Sequence, residues 1–328
     1  MTLFQDATLL VWCHMSSFTP DPCAGWVGGI DLGGTKIEAV LFDSALSRKT
    51  LRRRITPRDN YSDLLDALAE EVAWLRSQSG RPDLPVGIGV PGLINRQTGI
   101  SVTANLPANG HPLAQDLAQK AGGKIVAAND CKCFTLSEAN GGAGEGHEHV
   151  FGLILGTGLG GGYCLNGQLI LGRNDLPGEV GHYGLPAYLV ATHQLPLLPC
   201  GCGRVGCVET LISGTGIAQI AKTVTGIALS AEQVAADPSE PGNVKTLQIW
   251  SELTAELLHT IQLHLDPDCI VLGGGLSNID EVDIILSKAL DRIALPSVRR
   301  PAIVKPAFGD SSGSRGAALL AYGLTRKD

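Results

Sequence analysis

Alternating strands and helices predict an α/β protein built of two similar halves around a cleft. Three observations carry this. Short apolar runs of strand length alternate with longer segments of helical spacing. Each half opens on two strands joined by a glycine turn, one at 31–36 and one at 156–162. A chain of 328 residues also exceeds what a single core usually fills, so two domains are expected.

Taken in order, Val27 to Asp31 and Ile37 to Phe42 form a hairpin, with a third strand near Leu51 to Ile55. In Tyr61 to Gln78 the residues Leu64, Leu65, Leu68, Val72 and Leu75 recur at helical spacing, with Ser62 or Asp63 as the cap. Val86 to Val90 is a short buried strand stopped by Pro91-Gly92. Pro112 to Ala121 reads as a helix and Ile125 to Ala128 as a strand. A helix follows over Cys131 to Asn140, broken by GGAGEGH. The second half repeats the outline. Val150 to Leu155 is a strand, Gly156 to Gly162 a turn, and Tyr163 to Leu165 a returning strand. Gly216 to Thr225 and Lys245 to Leu265 are helices, and Cys269 to Leu272 is a strand entering three glycines. Val282 to Ile293 is helical, Ala302 to Lys305 a strand, and Ser314 to Tyr322 the last helix.

The net charge of -7 argues against a nucleic-acid surface and for a cytoplasmic protein. No apolar run is long enough to span a membrane. Residues 1–25 hold no Lys or Arg and so lack the basic start of a secretory signal; a poorly ordered tail is expected there.

The densest chemistry lies between Gly178 and Glu209. GEVGH at 178–182 is followed by CGCGRVGCVE at 200–209. His182, Cys200, Cys202 and Cys207 are a closed tetrahedral donor set suited to a structural Zn²⁺. Glu179 and Glu209 flank them, so a metal-pinned loop would present two carboxylates to a polyhydroxylated ligand. The other cysteines, among them Cys131, Cys133, Cys164 and Cys269, read as reduced core residues in a long chain of this apolar content.

Three glycine turns end strands. Asp31-Leu-Gly33-Gly34-Thr35-Lys36 offers backbone N–H groups and a hydroxyl to phosphate oxygens, and Asp31 could hold Mg²⁺ directly or through water. Gly156-Thr157-Gly158-Leu159-Gly160 is its counterpart. Gly274 and Gly275 follow a buried strand and could accept an adenosine. Neither the Walker spacing nor the dinucleotide fingerprint is present. Asn129-Asp130 stands where a strand gives way to a helix; Asp130 is either a helix cap or an active-site acid.

DLGGTK at 31–36, PG at 91–92, AND at 128–130, GTGLGGG at 156–162, GEVGH, the cysteine segment and LGGGLS at 272–277 occur in an order that resembles the ROK family of sugar kinases and repressors. TPRDNY at 56–61, TANLP at 103–107 and CFTLSEA at 133–139 bring it nearest the bacterial N-acetyl-D-glucosamine kinases of that family. The resemblance implies the two-domain, actin-like ATPase (ribonuclease H-like) fold. Its domains would be 26–130, rejoined by the closing helix 310–328, and 131–309. It implies ATP-dependent phosphorylation of a hexose 6-hydroxyl, N-acetyl-D-glucosamine first, with fructose, glucose and mannose as alternatives. Asp130 would be the general base. Gly92, Asn105, Asn129, Glu179, His182 and Glu209 would bind the sugar, with His182 linking it to the zinc through its two ring nitrogens. Gly33, Gly34, Thr35, Gly156, Thr157 and Gly158 would cradle ATP with Mg²⁺. A homodimer is allowed by analogy. Repressors of the family carry a helix-turn-helix ahead of the first glycine turn, and the segment before Asp31 is too short for one, so no DNA partner is expected. Where the family pattern after the base reads NDAN, this chain has Cys131 and Lys132. Lys132 then adds charge beside phosphate or sugar, or points to solvent.

Overall fold

The computed structural model describes residues 25–323; the expected N-terminal tail, with Cys13 and Cys23, and the end of the stretch 310–328 lie outside them. The first half runs β1 (Val27–Leu32), β2 (Lys36–Phe42), β3 (Arg48–Ile55), α1 (Tyr61–Ser79) and β4 (Val86–Val90), then β5 (Leu93–Ile94), β6 (Ser101–Val102), α2 (Leu113–Ala121), β7 (Ile125–Asn129) and α3 (Asp130–Ala139). The second runs β8 (His149–Leu155), β9 (Leu159–Leu165), β10 (Gln168–Leu169), α4 (Ala187–His193), α5 (Glu209–Ile212) and α6 (Ile217–Thr225), then α7 (Ala231–Ala236), α8 (Pro241–Leu265), β11 (Cys269–Gly273), α9 (Val282–Asp291), β12 (Ala302–Val304) and α10 (Ser312–Ala321).

The two main sheets have the same topology. One has the order β3-β2-β1-β4-β7 and the other β10-β9-β8-β11-β12. In each, three antiparallel strands are extended by two parallel ones. The duplicated outline read from the sequence is therefore real.

Strand alternation sets the layers. In β4, VGIGV, the valines and isoleucine join a core with Leu64, Leu68 and Val72 of α1 and Leu113 and Leu117 of α2. The glycines face the other way, and α10 lies against them. A Cβ at Gly87 would run into the Ala317 carbonyl, and one at Gly316 of α10 into the Cys133 carbonyl of α3. The missing side chains thus let α10 close on the first sheet and α3 close on α10. On its far side α3 packs on β8 and β9 of the second sheet. One buried cluster runs through this joint, from Val27 and Val40 through Phe134 and Ala317 to Val150 and Val271. The second half adds its own core around Trp250, whose indole N–H donates to the Ile212 carbonyl at 2.9 Å.

Three local expectations change. Asn60, not Ser62 or Asp63, caps α1, its side chain accepting Asp63 N at 2.9 Å. An Asn just before the first turn reaches that orphan donor, whereas Ser62 and Asp63 already lie inside the helix. The turn after β8 is only Gly156–Gly158, and the glycines at 160–162 belong to β9. A Cβ at Gly162 would lie 2.5 Å from Thr135 Oγ1 and 3.0 Å from Lys132 Cα, so that glycine is a packing requirement of α3. The helix expected from Lys245 begins earlier, at Pro241, with Glu240 capping Asn243 N at 2.7 Å. Among the described residues no helix is long and apolar enough to cross a membrane.

Candidate active site

The turns that follow β1, β4, β7, β8 and β11 all leave the carboxyl ends of parallel strands, the usual ligand side of such sheets. Gly89 of β4 shows how closely they meet. A Cβ built there would have Asp130 Cα at 3.6 Å and Asp31 Oδ1 at 3.7 Å as neighbours. The first glycine turn and the candidate base therefore share one small space.

Asn129 takes the capping role that Asp130 could have taken. Its Oδ1 accepts Lys132 N at 3.2 Å, while its Nδ2 donates to the Gly92 carbonyl at 2.9 Å and to Asp130 Oδ1 at 3.0 Å. Cys131 N donates to the same Asp130 oxygen at 2.9 Å. The carboxylate is thus held in one rotation at the start of α3. Burial pushes Asp130 above the usual aspartate range, and the Cys131 hydrogen bonds and the Lys132 charge only partly oppose this.

The first turn is closed by Gly33 N on the Lys36 carbonyl at 2.9 Å. It is stapled by Thr56, whose N–H bonds the Thr35 carbonyl at 3.0 Å and whose hydroxyl bonds the Gly33 carbonyl at 2.8 Å. Thr35 and Lys36 are left exposed. The second turn is tied by Gly214 N to the Gly156 carbonyl at 2.6 Å and by the Thr215 hydroxyl to the Thr157 carbonyl at 3.0 Å. Gly274, at φ +79°, presses on it: a Cβ there would meet the Leu155 carbonyl at 2.5 Å and Gly156 N at 2.7 Å. So the second and third turns form one unit. Gly160 stands apart, inside β9 against Cys131 Sγ, where close packing rather than phosphate contact accounts for it.

His182, Cys200, Cys202 and Cys207 come together, all four donor atoms within 4.8 Å of one another. Cys202 Sγ and Cys207 Sγ are 3.6 Å apart, as are Cys200 Sγ and His182 Nδ1. Two thiolates on one tetrahedral zinc with bonds of about 2.3 Å stand about 3.8 Å apart, so the cluster fits such an ion. The loop holds its shape through backbone pairing: Cys200 N to the Arg204 carbonyl at 2.8 Å, Gly206 N to the Leu198 carbonyl at 2.9 Å, and Val208 N to the Tyr183 carbonyl at 2.8 Å.

The flanking carboxylates sit on opposite sides of the histidine. Glu179 Oε2 lies 3.7 Å from His182 Nε2, and Glu209 Oε1 lies 3.6 Å from His182 Nδ1. Glu209 also accepts the Cys200 thiol at 2.9 Å, and a Cβ built at Gly158 would have Glu209 Oε2 at 3.6 Å as its neighbour. Burial raises the Glu179 carboxyl, and the charges of Lys132 and His182 act against that. A polar cavity of about 320 Å³ separates the second glycine turn from the cysteine loop, lined by Thr157, Cys200, Glu209, Ser213, Thr215 and Gln219. Asn105 is exposed in the loop after β6, which is braced by the Thr103 hydroxyl on the Leu106 carbonyl at 3.0 Å.

Lys132 does not point to solvent, and its charge acts on Asp130 and Glu179 from within the protein. It is buried and pairs with Asp175 at 2.8 Å. Asp175 went unremarked in the sequence, because an Asp in LGRNDLPG reads as an ordinary turn residue. Ser213 and Thr215 were missed likewise, being single hydroxyls outside any glycine run.

Residues 27–323 match the ROK family. The N-acetylgalactosamine kinase AgaK of Shewanella sp. (strain ANA-3) is 41% identical over 299 residues, 90% of this chain and 96% of that protein. The N-acetyl-D-glucosamine kinase of Pectobacterium atrosepticum is 43% identical over 298 residues, 89% of this chain and 97% of the relative. The crystal structure of a ROK family glucokinase from Streptomyces griseus, in complex with glucose and AMPPNP, superposes with a TM-score of 0.76 at 26% identity. It covers 91% of this chain and all of that one.

Proposed function

The chain belongs to the ROK family, and from that premise we propose that it transfers the γ-phosphoryl group of ATP to the 6-hydroxyl of an N-acetylhexosamine, N-acetyl-D-glucosamine first. The observation that carries this reading is the shared space at Gly89. There a partly buried acid, Asp130, stands beside the first glycine turn and its Asp31.

Phosphoryl transfer asks a protein mainly to position the reactants and neutralise charge. Gly33, Gly34 and Thr35 on one side and Gly156, Thr157 and Gly158 on the other supply backbone and hydroxyl donors for the phosphates. Gly274 and Gly275 adjoin them for the nucleoside. Asp31 is the carboxylate offered to the Mg²⁺ that accompanies ATP and balances its charge. Asp130 orients the sugar hydroxyl and takes its proton, a contribution of about 10²–10⁴-fold. Gly92, Asn105, Asn129, Glu179, His182 and Glu209 are the sugar's hydrogen-bonding partners. His182, Cys200, Cys202 and Cys207 would hold a structural Zn²⁺ with protein donors alone, and its contribution would be to fix the loop. It would leave His182 Nε2 on the Glu179 side for the sugar.

The test is a panel of N-acetyl-D-glucosamine, N-acetyl-D-galactosamine, glucose, mannose and fructose with ATP and Mg²⁺, read by ADP release and by NMR of the phosphorylated carbon. We expect a 6-phosphate, with the acetamido sugars highest in kcat/KM. No sugar-dependent ADP release from any of the five would refute the kinase reading. Glucose or fructose ahead of both acetamido sugars would move the substrate to the alternatives and keep the chemistry.

A further inference from the structure

A buried ammonium is costly unless both opposite charge and hydrogen bonds compensate it. Lys132 is fully buried, and among the described residues the direct contacts of its Nζ are to one residue, Asp175, with the charges of Asp130 and Glu179 nearby. Its Nζ lies 2.8 Å from Asp175 Oδ1 and also donates to the Asp175 main-chain carbonyl. Asp175 is buried as well and holds a left-handed backbone at φ +61°. Its other carboxylate oxygen accepts Ile94 N at 3.3 Å.

Three segments are tied together by these contacts. Lys132 belongs to the first turn of α3, next to Asp130. Ile94 belongs to β5, just past Gly92. Asp175 belongs to the loop that leads into Glu179. That loop has a second anchor at Gly178, φ +106°, which closes on the Gly161 carbonyl of β9 so tightly that no side chain fits. Glu179 N then bonds the Leu176 carbonyl at 3.0 Å. Glu179 therefore follows directly on two anchors, Asp175 gripped by Lys132 and Gly178 pressed on β9.

We propose that Lys132 and Asp175 are a positioning pair for the sugar, setting Gly92, Asp130 and Glu179 in register through one buried ion pair. The inference rests on the sugar-kinase reading above. A buried pair removed as a pair is often neutral for stability, so folding alone does not call for it. What the pair supplies is direction. The ammonium grips the carboxylate and the carbonyl of the same residue and so fixes that residue's backbone. The neighbouring loop then has one path to Glu179.

The experiment uses Lys132→Met with Asp175→Asn, because Asn tolerates the left-handed backbone and can still accept Ile94 N. The double variant is expected to melt close to the wild type. Its KM for N-acetyl-D-glucosamine should rise about tenfold or more, while its KM for ATP stays within about twofold. Calorimetric sugar affinity should weaken by the same factor. A strut without a positioning role would lower the melting point and leave the sugar KM of the folded fraction unchanged; that result overturns the proposal. If the double variant does not fold, Lys132→Gln with Asp175→Asn, which removes both charges and keeps hydrogen-bonding amides, decides in the same way, a sugar affinity within twofold of wild type overturning it. Should the wild type bind the sugar and release no ADP, the kinase reading fails, while the variants' sugar affinity still judges the pair.

Discussion

Asp130 has its carboxylate rotation fixed by Asn129 and Cys131 and its ionised form disfavoured by burial. A base must be ionised to act, so kcat/KM should fall as pH drops through that raised pKa. The acid limb is therefore expected above the ordinary aspartate value of about 4. The same shift has a sign for stability. An aspartate whose folded pKa is raised destabilises the folded state in full above that pKa, and the cost falls away as pH drops from there to the ordinary aspartate value of about 4. Asp130→Asn should therefore lower kcat by about 10²-fold or more while melting at or above the wild-type temperature at pH 7. An active Asn variant, or one that melts well below wild type, would contradict the assignment of base and burial together. Local sequence alone favours the helix cap over the acid for Asp130. The choice was illegible because it depends on Asn129 reaching both Lys132 N and Gly92, a contact between segments 37 residues apart in the chain.

At the scale of elements, the cysteine loop shows what spacing can and cannot reveal. Ligand types and intervals exposed the His182, Cys200, Cys202 and Cys207 cluster directly, since three of its four donors fall in one short, glycine-rich segment. The loop's partners were hidden. Cys200 and Glu209 of the cysteine segment line one cavity with Thr157 of a glycine turn, and no periodicity encodes that meeting. The same limit explains the glycine run at 156–162: a turn and a strand pressed on a helix both want glycine, for different reasons. If the metal stiffens the Glu179, His182 and Glu209 edge, Cys202→Ser should lose zinc by elemental analysis and raise the sugar KM severalfold. The KM for ATP should change less, because the first glycine turn and its Thr56 staple lie on the other sheet. Cys202 is exposed, so serine itself causes no packing loss. Wild-type sugar affinity in the zinc-free variant would separate the metal from sugar binding.

The whole molecule depends on the joint between its two sheets. Repeating hairpins and alternating elements made the duplicated α/β plan readable, because each sheet is specified by local apolar patterns. The joint was not readable. It consists of close approaches between α3, α10 and the glycine face of β4, and a glycine in GVPG or SRGAA looks the same whether it lines a loop or a helix contact. One cluster of buried side chains spans both sheets through that joint, so the halves should lose stability together. Gly316→Ala tests this, since its Cβ would collide with the Cys133 carbonyl and force α10 off α3. Overpacking of this kind costs about 1–3 kcal/mol, and more where the neighbour is backbone that cannot turn aside. Trp74 reports on α1 in the first half and Trp250 on α8 in the second. In variants keeping only one of the two among the described tryptophans, Gly316→Ala should lower both urea midpoints by similar amounts. The joint also fixes how the glycine turns on one sheet face those on the other, so kcat should fall in the folded protein if they hold the phosphates as proposed. A shift confined to Trp250, with Trp74 and kcat unmoved, would mean that the two halves are stabilised separately and that the α3–α10 contact does not couple them.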